Sequence, residues 1–331
     1  MADALLVGTR KGLFVVRDNG VEGPLLPGWE IFHAIARDGT LYAAANNVVY
    51  GATLQRSSDG GRTWERSEPI EGLAKAWHVE PGADWTLWLG GDPATLHHSG
   101  DGGVTWQPNA GILEHPTRDR WNPGAGGLIC HSIQIAPDAL YVAISAAGAF
   151  RSDDRGETWT PINENVAADF MPDPYPEVGQ CVHKLLAHPA RPGRLWQQNH
   201  CGVYRSDDRG DTWERLDGNG LPSGFGFGLA LDPSDPDVAF VIPEQSSELR
   251  VTAGGKLRVF RTGDGGASWE SWSDGLPVEA WTGVLREATS FDEEGVYFGT
   301  QSGSVFSSAN GGWRELASQL PAVCSVEAAH L

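Results

Sequence analysis

One eight-residue motif recurs along the chain and limits its possible folds more than any other feature. Its full pattern, Ser-x-Asp-x-Gly-x-Thr-Trp, occurs at residues 57–64, 99–106, 152–159 and 206–213. A softened copy covers 262–269, and a shortened one, with Asn310 in place of the Asp, covers 308–313. Self-similarity at a roughly regular spacing is the signature of a repeat architecture, in which each copy marks one structural unit.

The residue types of the motif predict a tight turn between two strands. Asp and Ser side chains accept hydrogen bonds from nearby backbone N–H groups, and Gly adopts a positive φ that other residues resist. The Trp begins the outgoing strand and brings a large apolar face. An aromatic residue precedes four copies, namely Phe150, Tyr204, Phe260 and Phe306. Six regularly distributed copies favour an architectural role for the acidic residues over six calcium or catalytic sites.

The sequence upstream of each motif predicts further strands, so that each repeat holds four. In the unit around 152–159, strands A, B, C and D are predicted at residues 131–136, 139–145, 148–152 and 158–162. Four short strands in a unit of about 40–55 residues are typical of a β-propeller blade.

The two ends of the chain predict one shared blade. Residues 5–8 and 12–17 have the pattern of strands B and C, with a degenerate motif near Asp18, and residues 323–329 have the pattern of a strand A. Joining them gives an all-β, seven-bladed propeller, one domain over 1–331, with four antiparallel strands per blade and no exposed sheet edge. The repeated tryptophans would then be Trp29, Trp64, Trp106, Trp159, Trp213, Trp269 and Trp313.

The repeated motif resembles the Asp-box (BNR) repeat of the sialidase, sortilin and photosystem-assembly-factor propellers. The segments G-T-R-K-G-L-F, D-P-Y-P-E-V-G-Q-C-V-H-K and Q-Q-N-H-C-G-V-Y-R-S are similar to a bacterial group of single-domain, sialidase-like Asp-box propellers. The resemblance implies a propeller fold with structural boxes. A true sialidase is not expected, because that activity needs an arginine triad and a nucleophilic Tyr on inner strands, and only Arg286 lies near such a strand.

Charge and cysteine content exclude some partners. The 331 residues hold 24 basic and 43 acidic side chains, a net charge of -19, which argues against nucleic acid or an anionic membrane as partner. The first residues include Asp3 and Lys11 and no long apolar run, so a signal peptide is not expected. The cysteines Cys130, Cys181, Cys201 and Cys324 show no Cys-x-x-Cys spacing. We therefore expect a cytoplasmic protein with reduced thiols.

Strand alternation places the predicted turns on two faces. The A–B turns share one face with the boxes, which are C–D turns; the B–C and D–A connections share the other. The long connections 107–129, 163–180 and 243–256 all belong to this second, long-loop face, where binding and catalysis are expected. Candidate catalytic residues are Arg120, Gln198 and Glu327, and candidate substrate-binding residues are Trp121, Asn122, Tyr175 and Arg286.

Histidines gather near the start of four predicted A strands. Alignment on Pro137, Pro189 and Pro233 puts His131, His183 and Phe227 in one register, with His33 and His78 fitted by small gaps and about Gly283 and Ser325 in the other two blades. Converging imidazoles suit Fe, Cu or Zn, with either four histidine ligands or three and an open position for catalysis. The predicted ligands are His33, His78, His131, His183 and His200, with Glu80 and Glu327 as carboxylates that orient the rings. A channel of hydrogen-bonded histidines without a metal is the alternative.

Three functions therefore stay open. The leading hypothesis is a metal-dependent enzyme acting on a small organic substrate, with oxygenase favoured over lyase and hydrolase because carotenoid-cleaving oxygenases offer an analogy of architecture alone. The second is a non-catalytic propeller that binds protein or glycan. The third is a glycosidase or polysaccharide lyase related to the sialidase-like propellers, for which Asp169, Asp173 or Glu177 could supply paired carboxylates.

Overall fold

The computed structural model describes residues 3–84, 86–124, 126–308 and 312–331. They form seven four-stranded antiparallel sheets, each with its strands in the order A, B, C, D. The C-terminal strand pairs with the first strand of the chain, so the ring closes across the two termini. The predicted seven-bladed propeller and its closure are confirmed. No helix within the described residues is both long and apolar enough to cross a membrane.

The strands of each blade are short, and the outermost is usually the shortest. Blade one consists of β28 Val323–Ala329, β1 Ala4–Thr9, β2 Gly12–Arg17 and β3 Gly20–Leu25. Blade two consists of β4 Glu30–Arg37, β5 Thr40–Asn47, β6 Gly51–Ser57 and β7 Glu65–Arg66. Blade three consists of β8 Lys75–Pro81, β9 Leu87–Asp92, β10 Thr95–Ser99 and β11 Gln107–Pro108. Blade four consists of β12 Cys130–Ala136, β13 Ala139–Ile144, β14 Gly148–Ser152 and β15 Thr160–Pro161.

The remaining blades follow the same plan. Blade five consists of β16 Val182–Ala187, β17 Leu195–Asn199, β18 Gly202–Ser206 and β19 Glu214–Arg215. Blade six consists of β20 Gly226–Leu231, β21 Ala239–Pro243, β22 Phe260–Thr262 and β23 Glu270–Ser271. Blade seven consists of β24 Thr289–Phe291, β25 Val296–Gly299, β26 Val305–Ser307 and β27 Arg314–Ala317. Three helical turns lie in connections: α1 Ala110–Leu113 and the 3-10 helices Arg118–Arg120 and Ala253–Gly255.

The Asp boxes fold as the residue types predict. In the box at 152–159, Asp154 accepts hydrogen bonds from the Thr158 hydroxyl (2.6 Å) and backbone N–H (2.9 Å), and Ser152 Oγ accepts the N–H of Gly156. The bonds from Thr158 and Ser152 lower the pKa of Asp154 to about 2. The carboxylate is thus committed to holding the turn.

Four of the box tryptophans, Trp159, Trp213, Trp269 and Trp313, join neighbouring blades. The indole N–H of Trp213 donates to the carbonyl of Ile162 at 2.8 Å, and that of Trp269 donates to Leu216 in the same way. A buried indole N–H needs such a partner. Each of these bonds runs from one blade to the end of the preceding one, so the boxes stabilise the ring as well as the turn.

Two expectations about the repeat need revision. Trp29 does not occupy the position of the box tryptophans, because β3 begins directly after the Asp18–Asn19 turn and Trp29 lies beyond that strand, leading into β4. The first blade therefore has a plain hairpin in place of a box. Asn310, the substituted residue of the shortened box, lies outside the described residues.

Candidate functional site

The innermost strands of blades one to six share a β-bulge that arranges the central channel. In blades two to six one residue of strand A is skipped in the pairing with strand B, and in blade one Cys324 is skipped. The skipped residues of blades two to six are Phe32, Trp77, His131, His183 and Phe227. A bulge re-aims side chains, and here it stacks side chains towards the channel in layers.

The first layer is largely aromatic. This aromatic layer holds the six skipped residues together with Arg286 of blade seven, whose guanidinium lies 5.5 Å from the ring centres of both Trp77 and Phe227. The rings of Phe32 and Trp77 stack at 4.1 Å, as do those of His183 and Phe227 at 4.2 Å. The aromatic layer lies on the long-loop side of the charged residues described next.

The second layer is polar, and we call it the charged layer; the third lines an opening, and we call it the mouth layer. The charged layer consists of the residues after the bulge, together with Glu287 of blade seven: His33, His78, Ser132, Lys184, Gly228, Ser325 and Glu287. The mouth layer lies two residues further along each of these strands in blades one to six: Ile35, Glu80, Gln134, Leu186, Ala230 and Glu327.

The four histidines predicted to share one register lie in two registers, one residue apart. His131 and His183 occupy the bulge itself, whereas His33 and His78 follow it, so the two pairs lie in different layers. The gaps that aligned the four in sequence hid this difference. Gly283 and Ser325 were misassigned for the same reason, since Arg286 and Cys324 are the aromatic-layer members of their blades.

A cavity of about 410 Å³ occupies the open end of the channel. It is lined by the mouth layer, by part of the charged layer, and by Pro137, Pro189 and Pro233 of A–B turns. Because A–B turns lie beside the boxes, this cavity opens on the Asp-box face. Glu327, expected on the long-loop face, lies here, because it is two residues beyond Ser325 towards the A–B-turn end of its strand.

A buried ion-pair network separates the cavity from the aromatic layer. Lys184 Nζ lies 2.7 Å from Glu287 Oε2, and the other oxygen of Glu287 lies 3.4 Å from His78 Nδ1. His78 Nε2 in turn lies 3.4 Å from Glu80 Oε2. The His33 ring stacks on His78 at 4.1 Å. Side chains from four blades thus form one network across the channel.

The network sets opposite protonation states within a few residues. Burial alone would raise the pKa of Glu287, but the charges of Lys184 and His78 hold it well below its usual range. Burial alone would lower the pKa of His78, but Glu287 and Glu80 raise it to about 9. His33 is different: burial and the charge of His78 hold its pKa well below the ordinary value. The cluster therefore contains a cationic and a neutral imidazole face to face.

The pKa of Glu327 is raised into the neutral range, where its protonated and ionised forms coexist. Burial is the main cause that raises its pKa to about 7, and the negative charges of Glu80 and Glu287 act in the same direction. The positive charge of Lys184 acts in the opposite direction and only partly offsets them. Titratable groups whose environments push their pKa values apart are the pattern of an acid–base site. Glu327 and Glu287 form such a contrast around one cavity.

Among the described residues, two groups of side chains have ligand atoms close enough to hold a metal ion. His33, His78 and Glu287 form one, and Cys181, His183 and His200 form the other, with all ligand atoms of each group within 4.8 Å of one another. The five predicted histidines therefore do not form one centre. In the first group Lys184 already binds Glu287 and His78 is cationic, so its charge is balanced without an ion. The second group lies in the field of Arg286 and Arg250. Burial is the main cause of the lowered pKa of His183, and the charges of these two arginines lower it further.

His131 is not available as a ligand. It is completely buried, with Nδ1 3.1 Å from Ser132 Oγ and Nε2 2.9 Å from the carbonyl of Val182 in the next blade. Both ring nitrogens therefore have hydrogen-bond partners, and His131 is in neither of the two groups of possible metal ligands.

The other predicted site residues do not gather with Glu327. Arg120 is exposed and pairs with Glu177. Trp121 is buried, its indole donating to Thr117 Oγ1 at 2.9 Å, and it packs on Phe150. Asn122 donates to the carbonyl of Arg120 at 3.1 Å. These residues order the D–A connection after β11, and their predicted roles in catalysis or substrate binding find no partner in the channel.

Gln198 and Tyr175 are also separate from the cavity. Gln198 is 1% exposed, and its amide donates to the carbonyl of Gly224 at 2.8 Å, so it holds a neighbouring loop. Tyr175 is 60% exposed on the D–A connection before β16. Neither residue lines the cavity.

Lys184 and Glu287 are site residues that the sequence interpretation missed. Lys184 follows His183 in V-H-K, and Glu287 follows Arg286 in R-E. Charged side chains at the start of strands that are otherwise apolar and buried are the signal that could have found them. The long connection between β23 and β24, which carries the 70%-exposed Trp281, was missed too.

Comparison with known proteins agrees with the repeat. A family model described as BNR/Asp-box repeat matches residues 150–161. The xyloglucanase Xgh74A of Acetivibrio thermocellus is 29% identical over 136 residues, covering 36% of this chain and 15% of that protein. A xyloglucanase of a Paenibacillus species is 27% identical over 165 residues, covering 44% of this chain and 14% of that protein. The matched segments are thus a small part of both relatives.

Solved structures share the fold at low identity. YCF48 from Cyanidioschyzon merolae has a TM-score of 0.60 at 14% identity, covering 92% of each chain. An ancestral GH74 enzyme has a TM-score of 0.61 at 17% identity, covering 89% of this chain and 40% of that one. YCF48 bound to D1 peptide has a TM-score of 0.59 at 14% identity, covering 89% and 86%. The chain is a seven-bladed β-propeller that carries the BNR/Asp-box repeat.

Proposed function

We propose that this chain acts on carbohydrate as a glycoside hydrolase, with its acid–base chemistry in the channel cavity. The observation that carries the proposal is Glu327, a carboxyl group whose pKa is raised to about 7 in a cavity that it shares with the second carboxyl group of Glu80. Two carboxyl groups with different roles are the usual machinery of glycoside hydrolysis. The similarity of segments of the chain to xyloglucanases supports the same class of substrate.

Glu327 is the proposed general acid. It donates its proton to the glycosidic oxygen as the bond from that oxygen to the anomeric carbon breaks, and the alcohol leaves neutral. The proton is available near neutral pH because burial and the neighbouring negative charges disfavour the ionised form of Glu327.

Glu80 is the proposed second carboxylate. Its Oε2 lies 3.4 Å from Nε2 of His78, whose raised pKa of about 9 makes it a cation. Glu80 either removes a proton from the attacking water or attacks the anomeric carbon itself. Lys184 and Glu287 hold the His78 ring in place from the other side.

The shape of the cavity favours a chain end or a short oligosaccharide. Its volume of about 410 Å³ is within the usual range of roughly 300–1,000 Å³ for small-molecule sites. Turns from several blades surround its opening on the Asp-box face. A sugar can therefore enter from that face.

The carbohydrate interpretation replaces the metal-dependent oxygenase as the leading hypothesis. The relatives reported above are xyloglucanases, and the histidines that suggested a metal are divided between two layers and lie close to Lys184, Arg286 and Arg250. Metal binding stays a prediction, which elemental analysis of the purified protein can test.

The test is product formation by the purified chain. Xyloglucan, its oligosaccharides and a panel of aryl glycosides are incubated with the wild type and with Glu327→Gln, and products are identified by mass spectrometry. Glu315→Gln, an exposed change on β27, is the control. We expect release of sugar by the wild type and control, and a loss of about 10²–10⁴-fold in Glu327→Gln. Absence of products from every glycoside, or equal rates in all three proteins, would overturn the proposal.

A second candidate, non-catalytic binding, is favoured by the long-loop face. Most of the exposed large apolar side chains lie on its connections, namely Val48, Val49, Tyr50, Phe170, Tyr175, Leu249, Val278 and Trp281. Such surfaces are typical of interaction sites, and one structure of similar fold is YCF48 bound to D1 peptide. Calorimetric binding of xyloglucan oligosaccharide that survives Glu327→Gln and is lost in Trp281→Ala, without turnover, would support this candidate.

A further inference from the structure

Arg286 is a cation without a matching anion at the long-loop end of the channel. Its Nε atom is buried and has no hydrogen-bond partner among the described residues. The adjacent Glu287 cannot neutralise it by contact, because one Glu287 oxygen faces Lys184 and the other faces His78. Leaving a buried charge unpaired destabilises the fold, so the unpaired Arg286 side chain suggests a bound anion.

The surroundings of Arg286 are aromatic and neutral. Its guanidinium lies between the rings of Trp77 and Phe227, 5.5 Å from each centre. Burial and the charge of Arg286 hold the pKa of His131 and that of His183 well below the ordinary value. The aromatic layer therefore carries one permanent positive charge and no contacting carboxylate among the described residues.

A second arginine reinforces the positive field from the rim. Arg250, on the exposed B–C connection of blade six, lies 5.8 Å from the centre of the Phe227 ring. Its charge contributes, after burial, to the lowered pKa of His200. His200 and Cys181 are partly exposed, so this side of the aromatic layer is reached from the long-loop face.

We propose that Arg286 is the core of an anion-binding site on the long-loop face, which holds the carboxylate of a small organic molecule. A guanidinium presents paired N–H donors that match the two oxygens of a carboxylate. One deeply placed positive charge is balanced by one negative charge, which favours a monoanionic carboxylate over a dianionic phosphate. The flanking rings of Trp77 and Phe227 offer apolar faces to the rest of the ligand.

The same charges argue against a metal ion at Cys181, His183 and His200. His183 Nδ1 donates to the carbonyl of Gly226 at 2.6 Å, which leaves Nε2 with a free lone pair, and the three ligand atoms are close enough to share an ion. A divalent cation would, however, sit in the combined field of Arg286 and Arg250. An anion gains from that field, so it is the preferred occupant.

The site is independent of the channel cavity. It lies on the opposite side of the charged layer from Glu80 and Glu327, and neither Arg286 nor Arg250 lines that cavity. Binding of a carboxylate can therefore be tested without any assay of hydrolysis.

The experiment compares anions with neutral analogues of the same shape. Thermal unfolding and calorimetric titration are performed at fixed ionic strength with acetate against acetamide, and with glucuronate against glucose; inorganic phosphate is a further probe. The proteins are the wild type, Arg286→Gln, and the control Arg120→Gln, which removes an exposed arginine that pairs with Glu177.

The expected result has two parts. Acetate or glucuronate raises the unfolding temperature of the wild type and of Arg120→Gln more than its neutral analogue does, and Arg286→Gln loses about 30-fold or more in affinity. Without ligand, Arg286→Gln is at least as stable as the wild type, because it removes an unpaired buried charge. A purely structural Arg286 would make this variant less stable.

Three results would overturn the proposal. They are an equal response to each carboxylate and its neutral analogue, a stronger response to phosphate than to both carboxylates, and an unchanged carboxylate response in Arg286→Gln. If Arg286→Gln does not fold, Arg286→Lys replaces it. This variant keeps the charge, and it should bind the carboxylate more weakly than the wild type because the paired donors are lost.

Discussion

Lys184 of blade five and Glu287 of blade seven form an ion pair across the channel, with Nζ and Oε2 2.7 Å apart and both side chains more than nine-tenths buried. The sequence separates the two residues by 103 positions, so the pair exists only when the ring is closed. Because Glu287 also contacts His78, one carboxylate links blades three, five and seven.

Removal of Lys184 should destabilise the fold strongly. Lys184→Met leaves Glu287 buried beside His78 alone, and losing one partner of a buried pair costs about 3–5 kcal/mol. Urea unfolding at neutral pH measures the loss. Arg120→Gln, which breaks an exposed pair, should change the free energy of unfolding by less than about 1 kcal/mol. The double variant Lys184→Met/Glu287→Gln should recover part of the loss, and strict additivity would show that the pair has no coupling.

Glu327→Gln should trade activity for stability at alkaline pH. The folded-state pKa of Glu327 is raised from about 4.5 to about 7, so its contribution is full below about pH 4.5 and is lost as pH rises through about 7. At pH 8 the variant should gain roughly 2–3 kcal/mol over the wild type, and at pH 4 nearly nothing. Denaturant unfolding at the two pH values checks this, and an equal effect at both would refute the raised pKa.

Asp154→Asn should weaken the ring at neutral pH and lose that effect in acid. The carboxylate of Asp154 accepts bonds from Thr158 and Ser152, which lower its pKa to about 2. Its contribution is therefore present above the ordinary Asp range near pH 3.8 and is lost as pH falls through about 2. The urea midpoint of the variant should be lower than that of wild type at pH 7, and the two should converge near pH 2.

The neighbouring acid is a matched control for the box. Asp153 is in the same turn, but its carboxylate makes ion pairs with Arg151 and Arg209 at the surface. Such pairs contribute little, so Asp153→Asn should leave the midpoint almost unchanged. A larger loss from Asp153→Asn than from Asp154→Asn would mean that the box is held by something other than the bonds described above.

Metal content decides the prediction made from the histidines. We expect protein purified without a His tag to hold well under one transition-metal ion per chain, because Lys184 occupies one candidate group and two arginines flank the other. Elemental analysis before and after dialysis against chelator measures it. Stoichiometric Fe, Cu or Zn that is lost in His183→Ala and kept in His115→Ala would restore the metal centre.

The fold could be predicted because the copies of the box indicate both the direction of the strands and the number of blades. Each copy fixes a C–D turn, and the unpaired strands at the two ends leave one way to close the ring. Trp29 was misplaced because a Trp near the right spacing cannot be told from a box Trp when the turn before it has shortened to Asp18–Asn19.

The site was harder to predict because it depends on a one-residue bulge. His33 and His131 both follow an apolar residue near the start of strand A, yet the skipped residue is Phe32 in one blade and His131 in the other. Pairing with strand B decides this, and no local pattern shows it. Arg286 and Glu287 are adjacent in sequence but belong to different layers of the channel, which again follows from the blade and not from spacing.

The most direct test of the proposed function is the dependence of the hydrolysis rate on the leaving group. Aryl glycosides of one sugar, with phenols of different acidity, are compared in the wild type and Glu327→Gln over pH 5 to 9. If Glu327 is the general acid, the wild-type rate falls above about pH 7. The rate of Glu327→Gln should not show this decrease, and it should be reduced most for glycosides of the least acidic phenols. An identical dependence on pH and leaving group in both proteins would contradict the account.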